Sequence, residues 1–183
     1  MVFNMFIILG YIFGVIFVTI ELFVFISSKR DRILLTKTLS CVCATLNQFF
    51  FGAITGALLN FIGIARSVIF YFRGKKKWAD SILWAVLFIA VTLVSPILSW
   101  QGYISLLPAF GSAFMVISFY SKKVGFIWAF GFIANVPWVI YNIFMLNFLG
   151  LAGSVLSLLS VIIGVINYFV KKKTTPQIEN ENI

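Results

Sequence analysis

From Val124 to Val170 no side chain carries a formal charge, and the same holds from Ser81 to Ser121. A helix crosses the apolar layer of a bilayer with ~20 mostly apolar residues, because lipid offers no partner for backbone polar groups. Each run is long enough for two crossings, and further apolar stretches fill most of the preceding chain. Charged residues make up 10% of the chain and hydrophobic residues 62%, whereas soluble domains carry about 25% charged residues. So few charges cannot cover a soluble surface. The sequence reads as an all-α membrane protein with almost no length left for a soluble domain.

Seven helices are expected, over Phe3 to Ser27, Ile33 to Phe51, Gly56 to Phe72, Ala79 to Ser99, Tyr103 to Tyr120, Val124 to Met145 and Phe148 to Val170. The net charge of +9 sits in short clusters: Lys29, Arg30, Arg32, Lys37; then Arg73, Lys75, Lys76, Lys77; then Lys122, Lys123; and Lys171, Lys172, Lys173. Each cluster follows an odd-numbered helix, so all four fall on one side. The loops opposite, around Ala53 to Thr55, Gln101 to Gly102 and Asn147, are uncharged. Basic residues beside apolar segments mark the cytoplasmic side, which predicts the N-terminus outside and the C-terminus in the cytoplasm. The same placement argues for a lipid bilayer as the partner of these charges and against nucleic acid.

Cys41 and Cys43 diverge on a helix, which disfavours a mutual disulfide. The chain has no histidine, so a metal set is not expected. One membrane-embedded carboxylate, Glu21, leaves no acid–base pair for an intramembrane enzyme. No cofactor, metal or catalytic residue is expected. The apolar N-terminus lacks a basic start and reads as a retained helix, not a signal peptide.

The segment GALLNFIGIARSVIFYFRGKKK reappears in altered form near the C-terminus. A slide of about 97 residues sets Gly56 on Gly153, Asn60 on Ser157, Gly63 on Ser160 and Ser67 on Gly164. With an odd helix between them, two triplets repeat in the same orientation, as in parallel-repeat transporters. The expected organisation is 3+1+3: a first three-helix repeat over residues 1–74, a linker helix over 75–102, a second repeat over 103–173, and a disordered cytoplasmic tail over 174–183.

Leu106 to Ser112 (LLPAFGS), Trp138 to Asn142 (WVIYN) and the intrahelical Arg66 resemble the YgjV-like family of bacterial inner-membrane proteins. PWVIYN followed by a turn and a helix bearing Asn167 is similar, more distantly, to SWEET, SemiSWEET and PnuC-type transporters. The resemblance implies a multi-pass bacterial inner-membrane protein and a small-solute transporter or facilitator, its solute a sugar or a vitamin-like nucleoside. At Pro108 the Pro-Gln pair of that superfamily does not stand, since Ala109 follows.

Glu21 and Arg66 are the charges read as lying inside membrane helices. A buried charge costs at least ~2.5 kcal/mol and normally has a partner or a cavity. Glu21 precedes Lys29 by eight residues and Arg66 precedes Arg73 by seven, which are similar depths. They are expected to form an intramembrane ion pair, either a structural lock between helices 1 and 3 or a gate. Trp138, Tyr141 and Asn142 share one face and suit a sugar ring or flat heterocycle; interface anchoring is the other reading. Asn60, Asn47, Gln48 and Asn167 complete the substrate-binding candidates. The stripe Ser154, Ser157, Ser160, Gly164 suits helix packing. Pro96, Pro108 and Pro137 are hinge candidates. A transporter and a non-transporting scaffold or accessory subunit both remain open, as does a homo-oligomer. A continuous polar cavity reaching the midplane separates them.

Overall fold

The computed structural model describes the backbone of residues 2–180 and the side chains of residues 5–170. The described residues are helical and contain no strand. The helices are α1 (Val2–Val24), α2 (Arg30–Phe50), α3 (Ile54–Tyr71), α4 (Ile82–Leu98), α5 (Leu106–Tyr120), α6 (Val124–Phe144) and α7 (Phe148–Asn180). Six segments are long and apolar enough to cross a membrane. The seventh, α4, has 17 residues. At 1.5 Å per residue it spans about 25 Å, short of a ~30 Å hydrocarbon layer. Its start is later than expected because Lys77–Asp80 forms a 3-10 turn and the Ser81 side chain then accepts from the Leu83 N–H as N-cap.

Six helices close into a ring. α1 packs on α2 and α7, α2 on α3, α3 on α5, α5 on α6, and α6 on α7. α4 stands outside, packed on α5 and α3. α1 ends three residues before the expected Ser27 because the chain leaves the helix at Phe25 to join two other helices. The Phe25 N–H donates to Ser160 Oγ at 3.4 Å, and Trp128 Nε1 donates to the Phe25 carbonyl at 3.0 Å. Gly164 lets α7 approach, since a Cβ there would strike that carbonyl.

The basic clusters on residues 29–32, 73–77 and 122–123 meet at one end. Arg30 opens α2 yet donates to the carbonyls of Phe70 at 2.7 Å, Phe119 at 3.1 Å and Ser121 at 3.1 Å. One planar guanidinium thereby satisfies orphan carbonyls at the C-terminal ends of both α3 and α5. Asp31 holds Lys75 at 2.7 Å, and Asp80 holds Lys122 at 3.4 Å. The hydrogen bond to Asp31 raises the Lys75 ammonium above its ordinary pKa. Beneath lies the apolar core, with Phe25, Phe70, Phe119 and Trp128 buried. Phe25 and Phe119 face each other at 6.5 Å between ring centroids.

α7 continues as backbone helix to Asn180, past the Val170 where its apolar stretch ends. This backbone helix takes in residues 174–180 of the tail expected to be disordered. Low apolar content removes packing partners but does not by itself break a helix. The side chains of Lys171 to Lys173, and residues 181–183 altogether, lie outside the described residues.

Helix starts recur at a fixed spacing: Arg30 to Val124 and Ile54 to Phe148 are each 94 residues apart (30 to 124, 54 to 148). The slide of about 97 residues misses this by three, just under one helical turn, which keeps a stripe of small residues on the same face. The turn before α3 uses Gly52 at φ 72°, and its counterpart before α7 uses Leu146 at φ 52°. Left-handed backbone costs a β-carbon residue about 1–2 kcal/mol. Leu146→Gly is expected to stabilise the protein by roughly 0.5–1 kcal/mol once the greater freedom of unfolded glycine is subtracted, and Gly52→Leu to destabilise it. Unfolding curves in detergent micelles check both signs.

Candidate functional site

All six ring helices contribute to one enclosed polar cavity on the ring axis. α1 supplies Phe17 and Glu21; α2 supplies Lys37, Cys41 and Gln48; α3 supplies Leu59, Asn60 and Arg66. α5 adds Ser112 and Met115, α6 adds Asn135, Trp138 and Asn142, and α7 adds Ser154. On α2 the lining runs from Lys37 to Gln48, which at 1.5 Å per residue is about 16 Å along the axis, roughly half the hydrocarbon layer. The room inside is about 30 Å³. One water needs about 10–15 Å³ by the same measure, so the cavity is closed around water-sized space.

Glu21 is 1% exposed, and its partner is not Arg66. Lys37 Nζ lies 2.5 Å from Glu21 Oε1, and Ser40 Oγ donates to the same oxygen. The expected Glu21–Arg66 pair fails because α2 stands between α1 and α3 in the ring, so a side chain on α1 meets α2 first. Lys37, counted from sequence with the interfacial cluster, lies seven residues inside α2, about 10 Å from its start, and is 9% exposed. The interior therefore holds two cations and one carboxylate.

Arg66, 3% exposed, reaches across to α5. Its Nη1 donates to the Ser112 carbonyl at 3.2 Å, and its guanidinium lies 5.4 Å from the Phe119 ring centroid. Arg66 Nε has no partner, and neither do Glu21 Oε2 and Asn142 Oδ1. Buried polar atoms are paired in the great majority of cases, so three orphans around one cavity mark it as unfilled polar space.

The structure brings four of the seven substrate-binding candidates to this cavity: Trp138, Asn142, Asn60 and Gln48. Asn60 Nδ2 donates to Gln48 Oε1 at 3.1 Å, and Asn142 Nδ2 donates to Ser154 Oγ at 3.1 Å. Tyr141 and Asn47 are buried nearby but lie outside the lining. Tyr141 Oη accepts from the Gly56 N–H at 3.3 Å, answering an orphan donor in the first turn of α3 that no side-chain cap on Ala53 serves. Asn47 Nδ2 donates to the Gly10 carbonyl at 3.0 Å, while its Oδ1 accepts from Asn147 Nδ2 at 3.2 Å. Asn167 is exposed, as are residues 166–170 around it; its stripe continues beyond the point where neighbouring helices cover α7.

Pro137 sits within α6 between the lining residues Asn135 and Trp138 and removes one helical hydrogen bond there. Pro108 lies in the first turn of α5, where no such bond is lost, and Pro96 belongs to α4, outside the ring. Asn135, Ser112 and Cys41 join the site without having been assigned to it from sequence. Among the described residues no cluster of metal-binding side chains occurs.

With this geometry in view, the sequence matches the Imp-YgjV family, described as bacterial inner membrane protein, over residues 8–175. The chain belongs to this family. It is accordingly a multi-pass protein of the bacterial inner membrane, in keeping with the six helices long and apolar enough to cross one among the described residues. The match covers far more of the chain than Arg66, Leu106 to Ser112 and Trp138 to Asn142, the residues that carry the sequence resemblance. No curated protein and no solved structure matches the chain. In this family member Lys37→Met alone is expected to cost about 3–5 kcal/mol by stranding Glu21, and Glu21→Gln with Lys37→Met to recover most of that loss. Thermal unfolding of the detergent-purified variants decides; a double variant no better than the single would break the pairing.

Proposed function

We propose that the protein moves a small solute across the bacterial inner membrane by SWEET-like alternating access between two three-helix units, α1–α3 and α5–α7, with α4 as the linker. The observation that carries this reading is the polar cavity within the ring, lined from all six helices. A scaffold packed solid would need no such space and no orphaned polar atoms.

The two-unit reading draws support from the 94-residue spacing. At that offset Gln48 corresponds to Asn142 and Asn60 to Ser154; within the first unit Asn60 donates to Gln48, and within the second Asn142 donates to Ser154. Gly56 lies under the Gln48 amide as Gly150 lies under that of Asn142. Phe25 corresponds to Phe119, and these two rings meet. Arg66 sits over Phe119 while its counterpart Ser160 takes the Phe25 N–H. The basic end is assigned to the cytoplasm on the distribution of charge, which puts the N-terminus outside and the C-terminus inside.

Contacts between units gather at the two ends of the ring, with Arg66 to the Ser112 carbonyl between them. At the uncharged end they include Tyr141 to Gly56, Asn147 to Asn47 and Thr55 to Ser105. At the basic end they are Arg30 to Phe119 and Ser121, together with Phe25 to Ser160 and Trp128. Alternating access breaks one set while the other holds. The uncharged set consists of single hydrogen bonds between neutral groups, worth about 0.5–1.5 kcal/mol each, so it opens more readily than the guanidinium-linked set.

Cys41 lines the cavity and supplies a reporter. In a Cys43→Ser background, Tyr141→Phe with Asn147→Ala is expected to increase the rate of Cys41 labelling by a membrane-impermeant thiol reagent from the outer face by about ten-fold. Proteoliposome uptake with a broad solute panel is expected to fall on Trp138→Ala. No uptake of any solute by the unaltered protein would count against transport, and labelling indifferent to the lock would count against this route of opening.

A further inference from the structure

We propose that the central cavity binds a small monovalent anion, of halide to short-carboxylate size, with Arg66 as its principal ligand. The inference rests on reading the cavity as the solute site and adds to that reading the class of solute.

Charge comes first. Three charged side chains lie within the ring, and Glu21 is engaged by Lys37. Arg66 has no carboxylate partner; its contacts are the Ser112 carbonyl and the face of Phe119. An arginine keeps its charge at neutral pH. One positive charge is thus left over in a closed cavity, where an unanswered charge is costly. A neutral solute would leave that charge in place and a cation would add to it. An anion removes it.

Donor geometry is the second, independent observation. Arg66 Nε is a buried donor without a partner on a side chain that lines the cavity. Charge-assisted hydrogen bonds from guanidinium to an anion are about twice as strong as neutral ones, so this orphan is the strongest unused donor in the lining. Asn60, whose amide nitrogen already serves Gln48 and the Gly56 carbonyl, offers much less.

Size is the third. About 30 Å³ of room exceeds the ~10–15 Å³ that one water requires by enough for a halide or a formate-sized ion, but not for a sugar ring. The phenyl ring of Phe119 lies against the guanidinium, and Met115 lines the cavity from the same helix. Glu21 faces the cavity from α1 with its Oε2 unpartnered, but its charge is balanced by Lys37, and its Oε1 also accepts from Ser40.

The test uses the purified full chain in detergent at constant ionic strength, with gluconate replaced stepwise by chloride, nitrate, formate or acetate. The expected result is a saturable rise in melting temperature with at least one of these. Arg66→Lys should retain part of the response, and Arg66→Met should raise the half-saturating concentration by at least about ten-fold. A response confined to chloride and nitrate assigns an inorganic ion, and one confined to formate and acetate a carboxylate. Should Arg66→Met fail to fold, slower Cys41 labelling in the Cys43→Ser protein on adding the same anions provides the second readout. No anion-dependent shift in the unaltered protein, or an equal shift in Arg66→Met, overturns the proposal. The two readings fail separately. Uptake of a neutral solute with no anion effect removes the anion site and leaves transport standing, while anion binding without uptake of anything removes transport and leaves the site.

Discussion

A charge inside a bilayer has to be answered within the protein, and the arrangement of this chain follows from how its interior charges are answered. Lipid offers neither counter-ion nor hydrogen bond, so Glu21, Lys37 and Arg66 must all face inward. That requirement turns α1, α2 and α3 so that their charged faces meet on the ring axis. The same axis then collects the amides of Gln48, Asn60, Asn135 and Asn142, because they too have nowhere else to go. Apolar side chains are relegated to the lipid face, where many are exposed. In water the distribution would be inverted.

The ends of the ring are closed by different chemistry, and the difference suits a protein that opens. The basic end is held by Arg30 on three backbone carbonyls, by carboxylates of Asp31 and Asp80 on lysines, and by an aromatic layer beneath. The uncharged end relies on neutral bonds between side-chain amides, a phenol and backbone. Charged ties are available at one end only, since the charged residues outside the ring interior flank odd-numbered helices. The basic clusters that gather at one end of the ring therefore also give that end charged ties.

Much of the site was legible as residue types but not as partners. Glu21 stood out because a carboxylate in an apolar run has few bland explanations. Its true partner did not, because Lys37 follows Arg32 closely enough to pass for part of an interfacial cluster. Asn167 shows the converse error. It lies on the same stripe as Ser154, Ser157 and Ser160, which are buried, yet it is exposed because a helix face is covered only where a neighbour runs alongside. Tyr141 and Trp138 share a face by periodicity, but one seals the end of α3 and the other lines the cavity.

What the sequence determined alone was the solvent and the helices, because the length and hydropathy of a crossing segment are local properties read from consecutive residues. The 94-residue spacing of helix starts differs by three from the slide of about 97 read in the sequence, since a helix face looks similar when shifted by almost one turn. Tertiary structure decided which helices are neighbours, and with that which charge meets which. Ring order is set by packing between distant segments, such as Gly164 against Phe25 and Gly153 against Phe17, and no local pattern encodes it. The leftover charge on Arg66 is a consequence of that order: α2 stands beside α1, Lys37 reaches Glu21, and the guanidinium is left facing the cavity.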